Sequence, residues 1–300
     1  MIKRLNIYFK EMYPIIPRLF VSFLLFFEVY FLVILTNDHL EFKVGLQEII
    51  GSLTIFLFLL FLRIADDFKD RETDKNIFPD RAFPSGKVQA NDLIILLTFA
   101  IIVMVITNIF FMNNRLYFSI LLGYGTLMSV WFFKKKTIQK SLPLALVTHN
   151  PIQLFLNLYI ITFTCIKYGL NVFTINNMFI LFTLYWPGLI WEISRKIRAP
   201  KEETEYTTYS KLFGFKKATR FILVVMFFDM ITSSVLVYKL LPSAVITVIV
   251  SYIWLVVRCN QYINNPYRFK LVKQVELYEY VTEGTMLLIE IIFIVTRILT

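Results

Sequence analysis

The chain is poor in charge, cysteine and glycine. Only 17% of its 300 residues are charged, against roughly 25% in a soluble globular domain. That shortfall argues against a water-soluble fold. Its two cysteines, Cys165 and Cys259, stand alone in or beside apolar runs. They show no metal-ligand or redox spacing and are expected to pack. Glycines number nine, and Pro187-Gly188 makes the one adjoining Pro-Gly pair inside an expected span. The paired broken helices of many transporters are therefore missing. No small-residue cleavage site follows the basic flank and apolar run near the N-terminus, so that run reads as a retained first span.

What fills the chain is apolar: 57% of residues are hydrophobic, and the mean hydropathy is +0.65. The apolar residues gather in runs long enough to cross a bilayer core of roughly 30 Å. Spans are expected at residues 15–37, 44–65, 90–112, 115–133, 140–165, 175–194, 218–239, 241–258 and 277–299. The fold class that follows is an all-α integral membrane protein, a bundle of about nine transmembrane helices. Residues 1–300 read as a single transmembrane domain, with two long loops capping its cytoplasmic side.

Alternating the loops across a membrane separates the basic residues. One side collects all but five of the 31 lysines and arginines. The five are Lys43, Arg115, Lys167, Lys239 and Arg297. Cytoplasmic loops carry the excess of Lys and Arg, which puts the N-terminus in the cytoplasm and the C-terminus outside, in the cell (inner) membrane. The net charge of +10 is largely this topological signal. No folded basic domain is present for nucleic acid. Anionic headgroups or a phosphorylated substrate suit the basic side better.

The two long polar loops, at 63–89 and 195–217, lie on that side. Loops of this length in a compact bundle are commonly functional or disordered. The first holds Asp67, Asp70 and Asp74 at i, i+3 and i+7. On a continuing helix they stack on one face. Like charges this close repel unless a cation lies between them, and hard oxygen donors suit Mg²⁺. The same spacing also fits a solvated helix end held by a pair such as Asp67–Arg71. At an exposed helix end, loss of these carboxylates is expected to cost little stability.

The first loop runs Asp66-Asp67-x-x-Asp70-x-x-x-Asp74 and then Arg81-x-x-Pro84-Ser85-Gly86-Lys87. This resembles the UbiA superfamily of intramembrane prenyltransferases. Their first motif is Asn-Asp-x-x-Asp-x-x-x-Asp followed by Arg-Pro-Leu-Pro-Ser-Gly-Arg, placed after the second of nine helices. Tyr124 with Lys134-Lys135, and Thr208 to Gly214, are weaker echoes. Asp66 replaces the usual Asn. The second motif departs further. Where an Asp-x-x-x-Asp pattern is expected, the chain has Glu192 and then Lys196.

The resemblance implies transfer of a prenyl group from an isoprenyl diphosphate to an aromatic or lipid acceptor, with Mg²⁺ as cofactor. It assigns Asp67, Asp70 and Asp74 to a first metal. Glu192 with Glu202 or Glu203, or else Glu205, takes a second. Arg81, Lys87, Lys134, Arg195, Lys196 and Arg198 are candidates for the diphosphate, because Arg forks and Lys charges suit phosphate oxygens. The basic set after the sixth span also reads as a headgroup anchor.

Polar residues at membrane depth complete the reading. His149, Gln153 and Asn157 recur at i, i+4 and i+8, beside Asn150. They line an acceptor pocket, where a neutral His149 takes the released proton, or they tie helices together. Glu28, Asp229 and Glu290 read as paired bundle residues. Two alternatives stand beside prenyl transfer. One is a glycosyl- or phosphoribosyl-type transferase of the same fold that uses a polyprenyl phosphate. The other is a non-enzymatic transporter or lipid binder.

Overall fold

A computed structural model describes residues 1–39, 41–203 and 207–299, residues 297–299 by backbone alone. Every regular element among the described residues is helical. In chain order these are α1 (Ile2–Glu11), α2 (Ile15–Thr36), α3 (Leu46–Lys69), α4 (Arg71–Ile77), α5 (Ala90–Phe111), α6 (Arg115–Ser129) and α7 (Lys135–Ile138). Then follow α8 (Leu142–His149), α9 (Ile152–Tyr168), α10 (Ile175–Thr183), α11 (Trp186–Ser194), α12 (Tyr209–Phe213), α13 (Phe215–Leu240), α14 (Val245–Asn264) and α15 (Leu271–Leu299).

Among the described residues, six stretches are long and apolar enough to cross a membrane: α2, α3, α5, α8–α9 together, α13, and Pro242–Asn264. The chain is thus an integral membrane protein. The other three expected spans are helical, but each departs from a plain span for a physical reason. The fourth, α6, is only 15 residues long, short of the roughly 20 that a span needs. The sixth is broken between α10 and α11, where Leu184 and Tyr185 leave the helix and Pro187 opens the next one. Proline supplies no N–H and suits a helix's first turn. The ninth, α15, is 29 residues long but carries Glu276, Glu279, Glu283 and Glu290.

Helix starts follow local chemistry. The Glu48 carboxylate accepts from the Gly45 amide at 2.8 Å. Thr174 accepts from the Asn177 amide at 3.2 Å, and Thr208 from the Lys211 amide at 3.1 Å. Each gives an orphan terminal N–H a partner.

The chain forms two compact units. The first comprises Met1–Tyr30, Lys43–Lys136 and Leu158–Leu170; the second comprises Phe31–Phe42, Thr137–Asn157 and Asn171–Thr300. In the first, α3 packs on α5 and α6. Tyr8, Leu60, Ile64, Phe83 and Leu93 form a buried cluster. Gly51 lets α2 approach closely: a Cβ there would lie 2.2 Å from the Phe26 ring. Buried amides tie the helices. Asn108 donates to Thr54 at 2.9 Å and accepts from Tyr159 at 2.8 Å. Such bonds hold helices together where lipid supplies no hydrophobic drive. In the second unit, α13 packs on α10, α11, α14 and α15, around Ile190, Ile222, Met226, Leu255 and Tyr278.

Candidate active site

The first acidic loop begins inside α3. Asp66 and Asp67 lie in the last turn of that helix, Asp70 leaves helical geometry at φ −103° and ψ 11°, and α4 resumes at Arg71. Backbone bonding runs through the break: the Asp70 amide donates to Asp66 at 2.9 Å and the Asp74 amide to Asp70 at 2.8 Å. A helical register between Asp67 and Asp74 therefore survives.

The carboxylates differ sharply in surroundings. Asp67 is 2% exposed. One of its oxygens accepts from the Tyr8 phenol at 2.6 Å, and the other from Arg63 at 2.5 Å. Its ion-pair partner is thus one turn before it, while Arg71 lies over the Phe83 ring at 5.2 Å. The expectation that these acids are exposed is corrected here: Asp67 and Asp74 are buried, because α1 and the loop pack over them. Asp74 pairs with Arg81 at 3.1 Å, and Asp66 with Lys69 at 2.8 Å.

Asp70 is half-buried and forms no ion pair among the described residues. Burial pushes its carboxyl above the ordinary value; the Asp66 and Asp74 charges add to this, and Lys69 and Lys135 oppose it. Burial also raises the Tyr8 phenol, with the Asp67 charge adding.

Cations gather at the same end of this unit. Arg81 lies over the Phe78 ring at 3.7 Å. Lys87 reaches Glu11 at 3.3 Å and the Asp80 carbonyl at 3.1 Å. Gly86 turns the chain at φ +78°, a left-handed conformation that glycine adopts freely. Lys134 is exposed, and Lys135 donates to the Lys69 carbonyl at 3.4 Å. Just before them Trp131, Phe132 and Phe133 all hold positive φ, between 49° and 58°. Such strain in bulky residues persists only where the surroundings enforce it. Here Lys69 sits over the Trp131 ring at 4.7 Å.

Among the described residues, no three His, Cys, Asp or Glu side chains gather as a ready-made metal site. Mg²⁺ does not require one: it binds through one or two carboxylates and takes further oxygens from substrate phosphates and water. Asp70 fits that role best. It forms no ion pair among the described residues, and its burial outweighs the charges of Lys69 and Lys135.

The second loop lies in the other unit. Glu192 lies in the last turn of α11, and Arg195 and Lys196 both turn back onto it. Arg195 donates to it at 2.7 Å and Lys196 pairs with it at 2.6 Å. Lys196 is 9% exposed, and Arg195 stacks over Trp191 at 4.5 Å. Glu203 accepts from Thr208 at 2.6 Å and Ser210 at 2.5 Å. The Ser210 hydroxyl in turn accepts from the Arg198 amide at 2.8 Å. Glu203 thus closes the loop. Glu202 is exposed, and Glu205 lies outside the described residues.

The acceptor candidates are also in the second unit. His149 ends α8, with its Nδ1 2.9 Å from Thr148 and 3.1 Å from the Ala145 carbonyl. The break at Asn150 and Pro151 interrupts the single helical face expected for His149, Gln153 and Asn157. Gln153 donates to Asn157 at 3.2 Å, and Asn157 to the Leu181 carbonyl at 3.4 Å. Among the described residues the Asn150 side-chain oxygen Oδ1 is buried without a partner, while its main-chain carbonyl accepts from the Gln153 amide at 3.2 Å. Sequence reasoning overlooked Tyr8, which lies 59 positions from Asp67 in a segment with no motif of its own.

No family model and no curated protein matches this sequence. A solved structure does: that of a digeranylgeranylglyceryl phosphate synthase in membranes, 14% identical, with a TM-score of 0.66. The likeness covers 96% of this chain and 98% of that one. Over nearly its whole length, this chain therefore has the fold of that membrane synthase.

Proposed function

We propose that this chain is a Mg²⁺-dependent intramembrane prenyltransferase, moving a prenyl group from an isoprenyl diphosphate to an aromatic or lipid acceptor. The shared fold supports prenyl transfer in general, since the solved synthase belongs to the superfamily that the first loop resembles. One observation carries the finer reading. Asp70 is a half-buried carboxylate without an ion pair among the described residues, between Asp66 and Asp74, and Asp74 is paired with Arg81.

Asp70 and Asp74 are the first donors for Mg²⁺. Asp67, clamped by Tyr8 and Arg63, fixes the helix end from which they project. When bound, the ion offsets charge on the departing pyrophosphate. Arg81 and Lys87 bring positive charge to phosphate oxygens once they swing from Asp74 and Glu11, and Lys134 adds to the same end. The apolar helices suit the prenyl tail. His149, Asn150, Gln153 and Asn157 stay candidates for the acceptor. The split of basic residues supports an N-terminus in the cytoplasm.

In the second unit, Glu192 is already neutralised by Arg195 and Lys196. We read this as a cationic phosphate-binding face, with Arg198 beside it, in place of a second metal. That same observation gives weight to a second reading, in which a polyprenyl phosphate accepts a sugar from a sugar diphosphate. Product analysis of the purified protein tests the choice. A prenylated acceptor supports the first reading, and a glycosylated polyprenyl phosphate overturns it.

A further inference from the structure

Away from the acidic loop, the first unit holds a groove of about 590 Å³ between α5 and α6. Ligand sites commonly measure roughly 300–1,000 Å³. One continuous face of α6 lines it, from Arg115 through Phe118 and Leu122 to Leu127, and α5 adds Val105 and Ile109. The α6 positions recur at the spacing of a single helical face. Two hydroxyls also lie in the wall. Ser119 donates to the Arg115 carbonyl at 3.0 Å and Thr126 to the Leu122 carbonyl at 2.8 Å. Their protons are used inside the helix, so the wall offers mainly carbon along its length. Gly123 keeps it open: a Cβ there would meet nothing within 4 Å outside its own helix backbone.

Arg115 is the one charged residue of this lining. It is exposed and forms no ion pair or side-chain hydrogen bond among the described residues. It opens α6, whereas the other end of that helix leads to Trp131, under Lys69 at 4.7 Å beside the acidic loop. The helix is 15 residues long, about 22 Å from end to end. A diphosphate held at the acidic loop therefore cannot reach Arg115. An unpaired guanidinium at the edge of an apolar bundle calls for an anion, and its planar fork fits two phosphate oxygens. The apolar trough that runs from the fork calls for a hydrocarbon chain. A second copy of the chain suits it less. A two-fold contact would set concave groove against concave groove and, about an axis along the membrane normal, Arg115 near Arg115.

We infer that this groove is a site for an anionic glycerophospholipid of the leaflet opposite the acidic loop, with one acyl chain along α6 and the head-group phosphate on Arg115. The site is separate from the prenyl-transfer reading and stands without it. A lipid seated there touches α5 and α6 together, and so stabilises the folded protein by mass action.

The test is native mass spectrometry of the purified full chain in detergent, titrated with dioleoylphosphatidylglycerol or dioleoylphosphatidylcholine. The acyl chains are the same, so the head groups alone differ. Arg115→Gln should bind the groove phosphatidylglycerol about tenfold more weakly, as loss of one charge-assisted contact implies. It should therefore retain one fewer than the parent at equal concentration, with its count of phosphatidylcholine unchanged. Gly123→Phe should lose the same phosphatidylglycerol, because the ring fills the groove. Added phosphatidylglycerol should raise the melting temperature of the parent more than that of either variant. Arg115→Gln alters an exposed residue and decides the question by itself if Gly123→Phe does not fold. Equal phosphatidylglycerol counts in the parent and Arg115→Gln, or an equal loss of phosphatidylcholine, would overturn the site. A dimer that Gly123→Phe splits while both lipid counts hold would overturn it too, and would give the groove to a second copy.

Discussion

Removing the Tyr8 hydroxyl should destabilise the protein and loosen the acidic helix end. The phenol donates 2.6 Å to a carboxylate that is 2% exposed. Hydrogen bonds to charged groups contribute about 1.5–3 kcal/mol. Arg63 still holds the other oxygen, and its side chain is 28% exposed, so water softens the loss. Tyr8→Phe should therefore cost about 1.5–2 kcal/mol. Asp67→Ala should cost more, about 3 kcal/mol, because it leaves the buried Tyr8 hydroxyl and the Arg63 guanidinium both unpaired. In the double variant the Tyr8 hydroxyl is lost only once, so the costs should fall short of additive by about 1–2 kcal/mol. Unfolding by SDS in mixed micelles, followed by circular dichroism, measures all four proteins. An Asp67→Ala variant within about 0.5 kcal/mol of the parent, or strictly additive costs, would refute the clamp.

Asp70→Asn should leave unfolding nearly unchanged and remove Mg²⁺-dependent turnover, read as pyrophosphate release. Because the Asp70 carboxyl lies above its ordinary value, protons compete with Mg²⁺ from a higher pH than at an ordinary Asp; the Mg²⁺ needed for half-maximal rate should rise as pH falls through the acidic range. Arg195→Ala should raise the KM for diphosphate by about tenfold, as loss of one charge-assisted contact implies, and leave the Mg²⁺ requirement alone. Glu192→Gln should likewise not raise that requirement; a raised one would make Glu192 a metal ligand. Gly51→Ala should cost about 1–3 kcal/mol, measured by SDS unfolding, since its Cβ would meet the buried Phe26 ring at 2.2 Å.

Long apolar helices were legible because twenty-odd apolar residues in a row have few other fates. Thus α2, α3, α5 and α13 fall close to their expected bounds. The interruptions were harder to read. Asn150-Pro151 divides the fifth span, and Leu184-Tyr185 the sixth, although only the prolines nearby hinted at either. The length of α15 was hidden because its first turns are polar. At the candidate site, the ladder of Asp67, Asp70 and Asp74 was readable from spacing alone. Its occupancy was not. That Asp67 answers to Arg63 and Tyr8, and that Glu192 is held by Arg195 and Lys196, depends on side-chain packing. The left-handed turn at Trp131–Phe133 also had no signal, since aromatic residues do not advertise positive φ.

Prenyl transfer itself is tested most directly by supplying the purified protein, in membrane-lipid vesicles with Mg²⁺, with geranyl, farnesyl and geranylgeranyl diphosphates in turn. Pyrophosphate and prenylated products are then followed by mass spectrometry. One of these donors should release pyrophosphate in step with a prenylated lipid or aromatic product, and the Asp70→Asn protein should release none. Intact diphosphates in every case, or equal release by Asp70→Asn, would contradict the assignment of this chain as a prenyltransferase acting through its first acidic loop.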